Sequence, residues 1–111
     1  ILYCGPDPHR HAAQMAKIPH LEFLDAGWGG DIKMLREHLP NCFINLRLDA
    51  VSINTMTCEE LEAHIRRLVA DSGDITRTGI CCINMDQDVT DDKIACIFET
   101  AAKLRQEAGL A

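Results

Sequence analysis

The feature of this sequence that most constrains its fold is a unit that occurs four times. Each unit has a short apolar run, then a polar or glycine-rich turn, then a segment with helical periodicity. The apolar runs cover residues 1–4, 21–24, 42–46 and 79–83. Continuous apolar strands that alternate with helices are typical of a parallel sheet covered by helices. The sequence therefore predicts an α/β fold of four consecutive βα units in one domain, residues 1–111.

Capping signals mark where the helices begin. A first helix is expected over residues 8–17, because Asp7 suits the N-cap and proline suits the first turn. Asp31 suits the N-cap of a second helix over residues 32–39. Thr57 and Glu60 have the spacing of a capping box, which predicts the start of a third helix.

The segments that follow the third and fourth apolar runs are expected to differ in structure. The segment from residue 47 to about residue 56 has no helical periodicity and is expected to form a long loop. A final helix is expected from about Thr90 to Gly109, with an apolar face. The residues of that face are Ile94, Ile97, Phe98, Ala101 and Leu104.

Four βα units without a glycine-rich nucleotide fingerprint suit the C-terminal half of a (β/α)8 TIM barrel. An open sheet is the alternative, since local pattern alone does not separate the two folds. The chain begins directly in strand-like residues, so we interpret it as a fragment whose N-terminal half-barrel is missing. Half a barrel leaves one face of its sheet bare. We therefore expect a homo-oligomer, or a sheet completed by a copy or a swapped element.

The composition of the chain limits the kinds of partner and ligand that we expect it to bind. A net charge of −6 disfavours nucleic acid, which needs a basic face. No apolar run approaches the roughly 20 residues of a membrane span. The six cysteines contain no C-x-x-C pair, so zinc is not expected. We interpret them as small buried hydrophobic residues in a reducing cytosol, which predicts a cytoplasmic protein.

Barrel enzymes place their active sites at the C-terminal ends of the strands. Aspartates that lie close together there are candidates for general acids, and an arginine is a candidate anchor for a substrate carboxylate or phosphate. The predicted catalytic residues are Asp25, Asp49 and Asp86, and the predicted substrate-binding residues are Cys4, Trp28, Asn45, Arg47 and Asn84.

Each candidate has a structural alternative. Arg47 is also expected to form a buried pair with Asp25 or Asp49. Asp25 and Asp49 precede turns or helices, where aspartate is favoured in any case, and Asp86 can simply solvate its loop. Cys4 and the single tryptophan, Trp28, can be packing residues at the barrel mouth.

The order of several segments resembles the uroporphyrinogen-decarboxylase superfamily. The segments are LYCG at 2–5, GWGGDI at 27–32, NLRLDAV at 45–51, TCEEL at 57–61 and INM at 83–85. The NLRLDAV segment is similar to the N-x-R-x-x-P-V stretch of methyltransferase-like members. The resemblance implies a TIM barrel, and the superfamily contains tetrapyrrole decarboxylases and methyltransferases that work with corrinoid proteins.

The sequence departs from the family pattern at the positions that distinguish its branches. The decarboxylase histidine after the last strand has no counterpart, because Gln87 and its neighbours contain no histidine. Cys4 fits the H-x-C pair of the zinc methyltransferases, but Leu2 replaces its histidine and Gln87 the late cysteine. The stretch at 45–51 and the Gly-Trp-Gly-Gly segment at 27–30 resemble the methyltransferase-like members more than the decarboxylase, so the resemblance implies a methyltransferase-like parent enzyme, with a corrinoid protein as its partner. The alternatives are a uroporphyrinogen decarboxylase and a non-catalytic binding domain, and the isolated fragment is expected to be inactive.

Overall fold

The protein is described here by a computed structural model, which covers residues 1–3, 5–82, 85 and 87–110. Within these residues, three parallel strands form a sheet in the order β1-β2-β3, so each strand pairs with its neighbour in sequence. The strands are β1 (Phe23–Asp25), β2 (Phe43–Leu48) and β3 (Thr78–Cys82). The expectation of an α/β fold with a parallel sheet is confirmed.

The first predicted strand is much shorter than expected in the described residues. Leu2 forms a single parallel bridge with Asp25. Two backbone hydrogen bonds support it: Tyr3 N donates to Asp25 O at 2.9 Å, and Asp25 N donates to Ile1 O at 2.8 Å. Residues 1–3 therefore lie beside β1 on the side away from β2, in sequence order with the other strands.

In the part of the chain that the structure describes, five α-helices and two 3-10 turns accompany the strands. The 3-10 turns are Pro8–His11 and Ile75–Arg77. The helices are α1 (Ala12–Met15), α2 (Ile32–His38), α3 (Ala50–Thr55), α4 (Cys58–Ser72) and α5 (Asp91–Glu107).

Two of the predicted caps are confirmed. The Asp31 carboxylate accepts a hydrogen bond from Met34 N at 3.0 Å, which begins α2. Thr57 and Glu60 form a reciprocal capping box at the start of α4. Asp7, by contrast, makes no side-chain cap, and the first helix is divided into a 3-10 turn and the single turn of α1.

The prediction of a long loop after β2 is wrong. Residues 50–55 form α3, because Asp49 caps them and Ile53 is buried in the core. The sequence obscured this helix because its β-branched and asparagine residues have poor helix propensity. Burial of one apolar side chain and a good cap stabilise it despite that propensity.

The helices pack on one face of the sheet, which we call the helix-covered face. Ile44, Leu46 and Leu48 alternate along β2 on this face, and all three are buried. Ile44 and Leu46 pack in a cluster with residues of α1 and α2, and Leu48 packs in a second cluster with residues of α3, α4 and α5. The molecule is accordingly thin, with extents of 41 × 32 × 18 Å, close to one sheet and one helix layer.

The predicted apolar face of α5 is only partly buried. Four of its residues, Ile94, Ile97, Ala101 and Leu104, are half-buried, and Phe98 is 72% exposed. The fully buried residues of α5 are Cys96 and Thr100. Phe98 therefore does not share the burial of the other residues of this face. No helix among the described residues is long and apolar enough to cross a membrane.

Candidate functional site

The second face of the sheet, which we call the open face, carries the candidate residues. Paired residues of parallel strands point to the same side, and side chains alternate along each strand. Neither core cluster includes Phe23, Phe43 or Cys81, three residues of this face. From β1 to β3, the open face consists of Phe23, Asp25, Phe43, Asn45, Arg47, Gly79 and Cys81.

The side chains of the open face change from aromatic to polar along the direction of the strands. At the N-terminal ends, the rings of Phe23 and Phe43 stack with centroids 5.6 Å apart and planes 6° from parallel. Asp25 and Asn45 form the next paired level, and Arg47 pairs with Cys81 beyond them. The face is therefore aromatic at the N-terminal ends of the strands and polar at their C-terminal ends.

Arg47 and Asp25 form a buried ion pair. Nη2 of Arg47 donates to Oδ2 of Asp25 at 3.1 Å, and Nε lies 2.9 Å from Oδ1 without the direction of a hydrogen bond. The side chains are only 4% and 17% exposed, respectively. The structure thus confirms the alternative of a buried pair and selects Asp25 as the partner. It places both predicted residues in one cluster at the strand ends.

Asn45 and Cys81 lie beside this pair. Nδ2 of Asn45 contacts Sγ of Cys81 at 3.0 Å. The side chains of Asn45 and Phe43 pack closely against Gly79 of β3. A Cβ at residue 79 would lie 2.8 Å from Oδ1 of Asn45 and 2.9 Å from the Phe43 ring, so a larger residue would displace them. Cys81 therefore contacts the predicted Asn45 and interacts electrostatically with Asp25 and Arg47. Cys81 was not among the site residues predicted from the sequence. Strand alternation was the available signal, since it places only one of Cys81 and Cys82 on this face.

The Cys81 thiol is held in its neutral form. Burial raises its pKa above the usual 9.0, and the negative charge of Asp25 raises it further. The amide of Asn45 and the charge of Arg47 act in the opposite direction but are smaller. A neutral thiol donates a weak hydrogen bond and is a poor nucleophile at neutral pH. The arrangement thus suits binding and orientation better than thiolate attack.

A glycine-rich loop after β1 forms the rim next to the pair. Gly27 O accepts a hydrogen bond from Arg47 N at 3.2 Å, which holds the loop against β2. Gly27 has φ of 68°, and a Cβ there would lie 2.4 Å from the carbonyl oxygen of Gly5. Only glycine allows this contact between two backbone segments. Trp28 lies in the same loop and is exposed.

The other predicted residues have different outcomes. Asp49 follows β2, and its carboxylate accepts from Val51 N at 3.2 Å and from Ser52 Oγ at 2.7 Å. These bonds cap α3 and account for an aspartate at this position. Cys4, Asn84 and Asp86 lie outside the described residues.

No group of three or more His, Cys, Asp or Glu side chains with the geometry of a metal site occurs within residues 1–3, 5–82, 85 and 87–110. No family model, no curated protein and no solved structure matches the chain. The candidate site therefore rests on geometry: a buried ion pair, an amide and a neutral thiol at the C-terminal ends of parallel strands.

Four thiols are expected to make the protein less stable at high pH. Burial raises the pKa of Cys42, Cys81, Cys82 and Cys96 above the usual value of 9.0. The unfolded thiols ionise first as pH rises, so unfolding releases protons and its free energy falls above about pH 9. Urea denaturation at about pH 8 and pH 10 measures this loss. Cys82→Ala should show a smaller loss between the two pH values, and an unchanged loss would contradict the assignment to thiols.

Proposed function

We propose that this chain is the C-terminal half of a (β/α)8-barrel enzyme of the uroporphyrinogen-decarboxylase superfamily, and that the parent is a methyltransferase-type member that acts with a corrinoid protein. In this proposal the open face lines the interior of the barrel. Asp25, Asn45 and Arg47 then face the substrate, and the enzyme is completed by strands from the N-terminal half.

The order of the strands supports the barrel. In doubly wound open sheets the strand order reverses and helices cover both faces. Here the strands follow one another in sequence order, residues 1–3 extend that order, and the core packs on one face. In a barrel, each strand likewise pairs with the next strand in sequence, and the helices cover only the outer face of the sheet.

The observation that carries the proposal is the polarity of the open face. A barrel interior is filled by layers of side chains, and barrel enzymes bind substrate at the C-terminal ends of the strands. The stacked Phe23 and Phe43 rings form an apolar layer at the other end. Arg47 and Asp25 form the polar layer at the end where chemistry is expected.

Arg47 is the proposed contact to the substrate, and Asp25 is the residue that orients it. A guanidinium has a planar fork of donors that recognises oxygen acceptors in a fixed geometry. Corrinoids and porphyrinogens are both tetrapyrroles with oxygen acceptors around their rims, as amide carbonyls in corrinoids and carboxylates in porphyrinogens. The affinity of an arginine for carboxylates favours the decarboxylase as the second candidate.

A binding experiment on the 111-residue chain separates these candidates. Trp28 is the only tryptophan and lies in the rim loop, so its fluorescence reports on ligands at this end of the sheet. We expect methylcobalamin to quench it with a saturable dependence on concentration. Arg47→Lys keeps the charge but loses the planar fork, and it should weaken binding about 10-fold, or roughly 1.4 kcal/mol.

Arg67→Lys is the matched control, because Arg67 is exposed on α4 and contacts His64 there. It should bind methylcobalamin like the unaltered chain. Tighter, Arg47-dependent binding of uroporphyrin than of methylcobalamin would favour the decarboxylase instead. Binding of neither tetrapyrrole, or equal weakening by both substitutions, would refute the proposed site.

A further inference from the structure

Helices α4 and α5 lie side by side, and one cysteine of each helix lies at the contact between them. Cys58 is the first residue of α4, and Cys96 lies in the second turn of α5. Both side chains line one open cleft of about 280 Å³. All lining residues of this cleft belong to the two helices, so it lies on the helix-covered side of the sheet and apart from the open face.

The two cysteines make reciprocal contacts. Sγ of Cys96 donates to the backbone oxygen of Cys58 at 3.3 Å, and Sγ of Cys58 donates to the backbone oxygen of Asp92 at 3.8 Å. Asp92 lies four residues before Cys96, and in an α-helix its carbonyl accepts a hydrogen bond from the Cys96 N–H. Each sulfur therefore lies against the backbone that carries the other cysteine, and the two thiols are neighbours.

The two thiols differ in their access to solvent. Cys58 is half-buried, whereas Cys96 is only 8% exposed. Burial raises the pKa of the Cys96 thiol, and a hydrogen bond between the two thiols raises it further. A reagent that enters the cleft therefore reacts first with Cys58. Cys96 is a poor nucleophile towards a reagent in solution, but a sulfur held beside it is presented at a high effective concentration.

The lining of the cleft is acidic. Two cations, Arg66 and Lys103, approach the cleft through their contacts with a single carboxylate, that of Glu62. The lining therefore keeps a net negative charge, which attracts cationic reagents and repels anionic ones. The carboxylates of the lining are those of Glu59, Glu62, Asp92 and Glu99.

We propose that Cys58 and Cys96 form a dithiol site, which small organic disulfides of positive or neutral charge oxidise to a Cys58–Cys96 disulfide. The Cys58 thiolate attacks one sulfur of the reagent, a mixed disulfide forms, and one reagent thiolate leaves. Cys96 then attacks Sγ of Cys58, and the second reagent thiolate leaves. The two cysteines lose two electrons and two protons, and the reagent gains both as it becomes two free thiols.

The disulfide joins the start of α4 to α5, between residues that are 38 positions apart. Such a cross-link restricts the unfolded chain and so stabilises the folded one. In a reducing compartment the bond is transient, because the thiol pool reduces it again. The site therefore makes the packing of α4 on α5 respond to oxidising conditions.

Peptide mapping of the 111-residue chain tests the proposal. The chain is treated with cystamine, a cationic disulfide, its remaining thiols are alkylated, and it is digested with trypsin without reduction. Trypsin places Cys58 in peptide 48–66 and Cys96 in peptide 94–103, and neither peptide contains another cysteine. We expect these two peptides to be linked, and the oxidised chain to melt about 10 °C above the reduced chain. A different pairing, or no linked peptide, would overturn the proposal.

Three cysteine variants separate the roles of the two thiols. Cys96→Ser should stop at the mixed disulfide, so that peptide 48–66 carries one cysteamine group. Cys58→Ser should leave peptide 94–103 largely unmodified, because Cys96 is buried. Cys82→Ala is the matched control, since Cys82 is half-buried in β3, and it should form the link like the unaltered chain. Modification of Cys96 in Cys58→Ser as fast as in the unaltered chain would contradict the proposed order of attack.

Glutathione disulfide, which has a net negative charge, tests the role of the carboxylates. At low ionic strength it should form the link at least about 10-fold more slowly than cystamine, and added salt should reduce this ratio. Glu59→Gln combined with Glu99→Gln should also reduce it. Equal rates for the two reagents at low ionic strength would show that the acidic cleft does not select the oxidant. The result does not depend on tetrapyrrole binding, so the proposed function and the dithiol site can fail separately.

Discussion

Asp25→Ala is expected to lower the free energy of unfolding by about 3 kcal/mol. The substitution leaves the guanidinium of Arg47, which is only 4% exposed, without its carboxylate partner. Removing one partner of a buried ion pair is costly because the other charge stays buried without compensation. Urea denaturation followed by circular dichroism measures the change.

Two further variants show whether burial is the cause. Asp25→Ala combined with Arg47→Met replaces both charges by apolar groups and should recover part of the lost stability. Glu107→Ala removes one partner of Arg66 from a pair with two hydrogen bonds, of 2.7 and 3.0 Å, on the exposed surface, where Glu62 remains as a second partner. Glu107→Ala should lower the free energy of unfolding much less than Asp25→Ala does. Equal losses for Asp25→Ala and Glu107→Ala would contradict the buried-pair explanation.

Arg36→Ala is expected to destabilise the protein by about 3 kcal/mol or more. Its guanidinium donates to five backbone carbonyls at one end of the sheet. The three shortest contacts are to Ser72 O at 2.6 Å, Cys42 O at 2.7 Å and Arg77 O at 3.0 Å. These acceptors lie at the end of α4 and just before β2 and β3. Removing the guanidinium leaves partly buried carbonyls without their donor, and each costs its desolvation energy. Thermal and urea denaturation measure the loss.

Arg36→Lys tests whether the positive charge or the geometry of the guanidinium group provides the stability. An ammonium group keeps the positive charge but cannot reach acceptors on three sides in the geometry of a guanidinium. We therefore expect Arg36→Lys to retain only a minor part of the stability. Native-like stability for this variant would show that charge alone, and not the fork of donors, holds these segments together.

Much of the fold followed from local signals. Asp31 and Thr57 cap helices where the sequence predicted, because capping depends on residues within one turn of each other. The alternation of apolar runs with helices predicts the parallel sheet, since parallel neighbouring strands need a crossover connection between them, usually a helix. The sequence also predicts a buried pair of Arg47 with Asp25 or Asp49, and the structure shows the pair with Asp25.

The features that sequence reasoning missed depend on contacts between distant residues. Helix α3 forms because Ile53 is buried, although its sequence has poor helix propensity. Arg36 has the appearance of an ordinary polar residue of α2, yet its acceptors Ser72 and Arg77 are 36 and 41 positions away. The exposure of Phe98 also cannot be read from periodicity, because a helical stripe does not tell which part of it has a partner.

The order of the strands has a consequence for how the chain acquires its structure. Each strand pairs with the strand before it in sequence, so each pairing closes a loop of one βα unit and needs no segment synthesised later. Loop-closure entropy is therefore modest, and relative contact order is low for a parallel sheet. The chain is suited to folding vectorially as it leaves the ribosome, one unit after another, with β3 and α5 joining last.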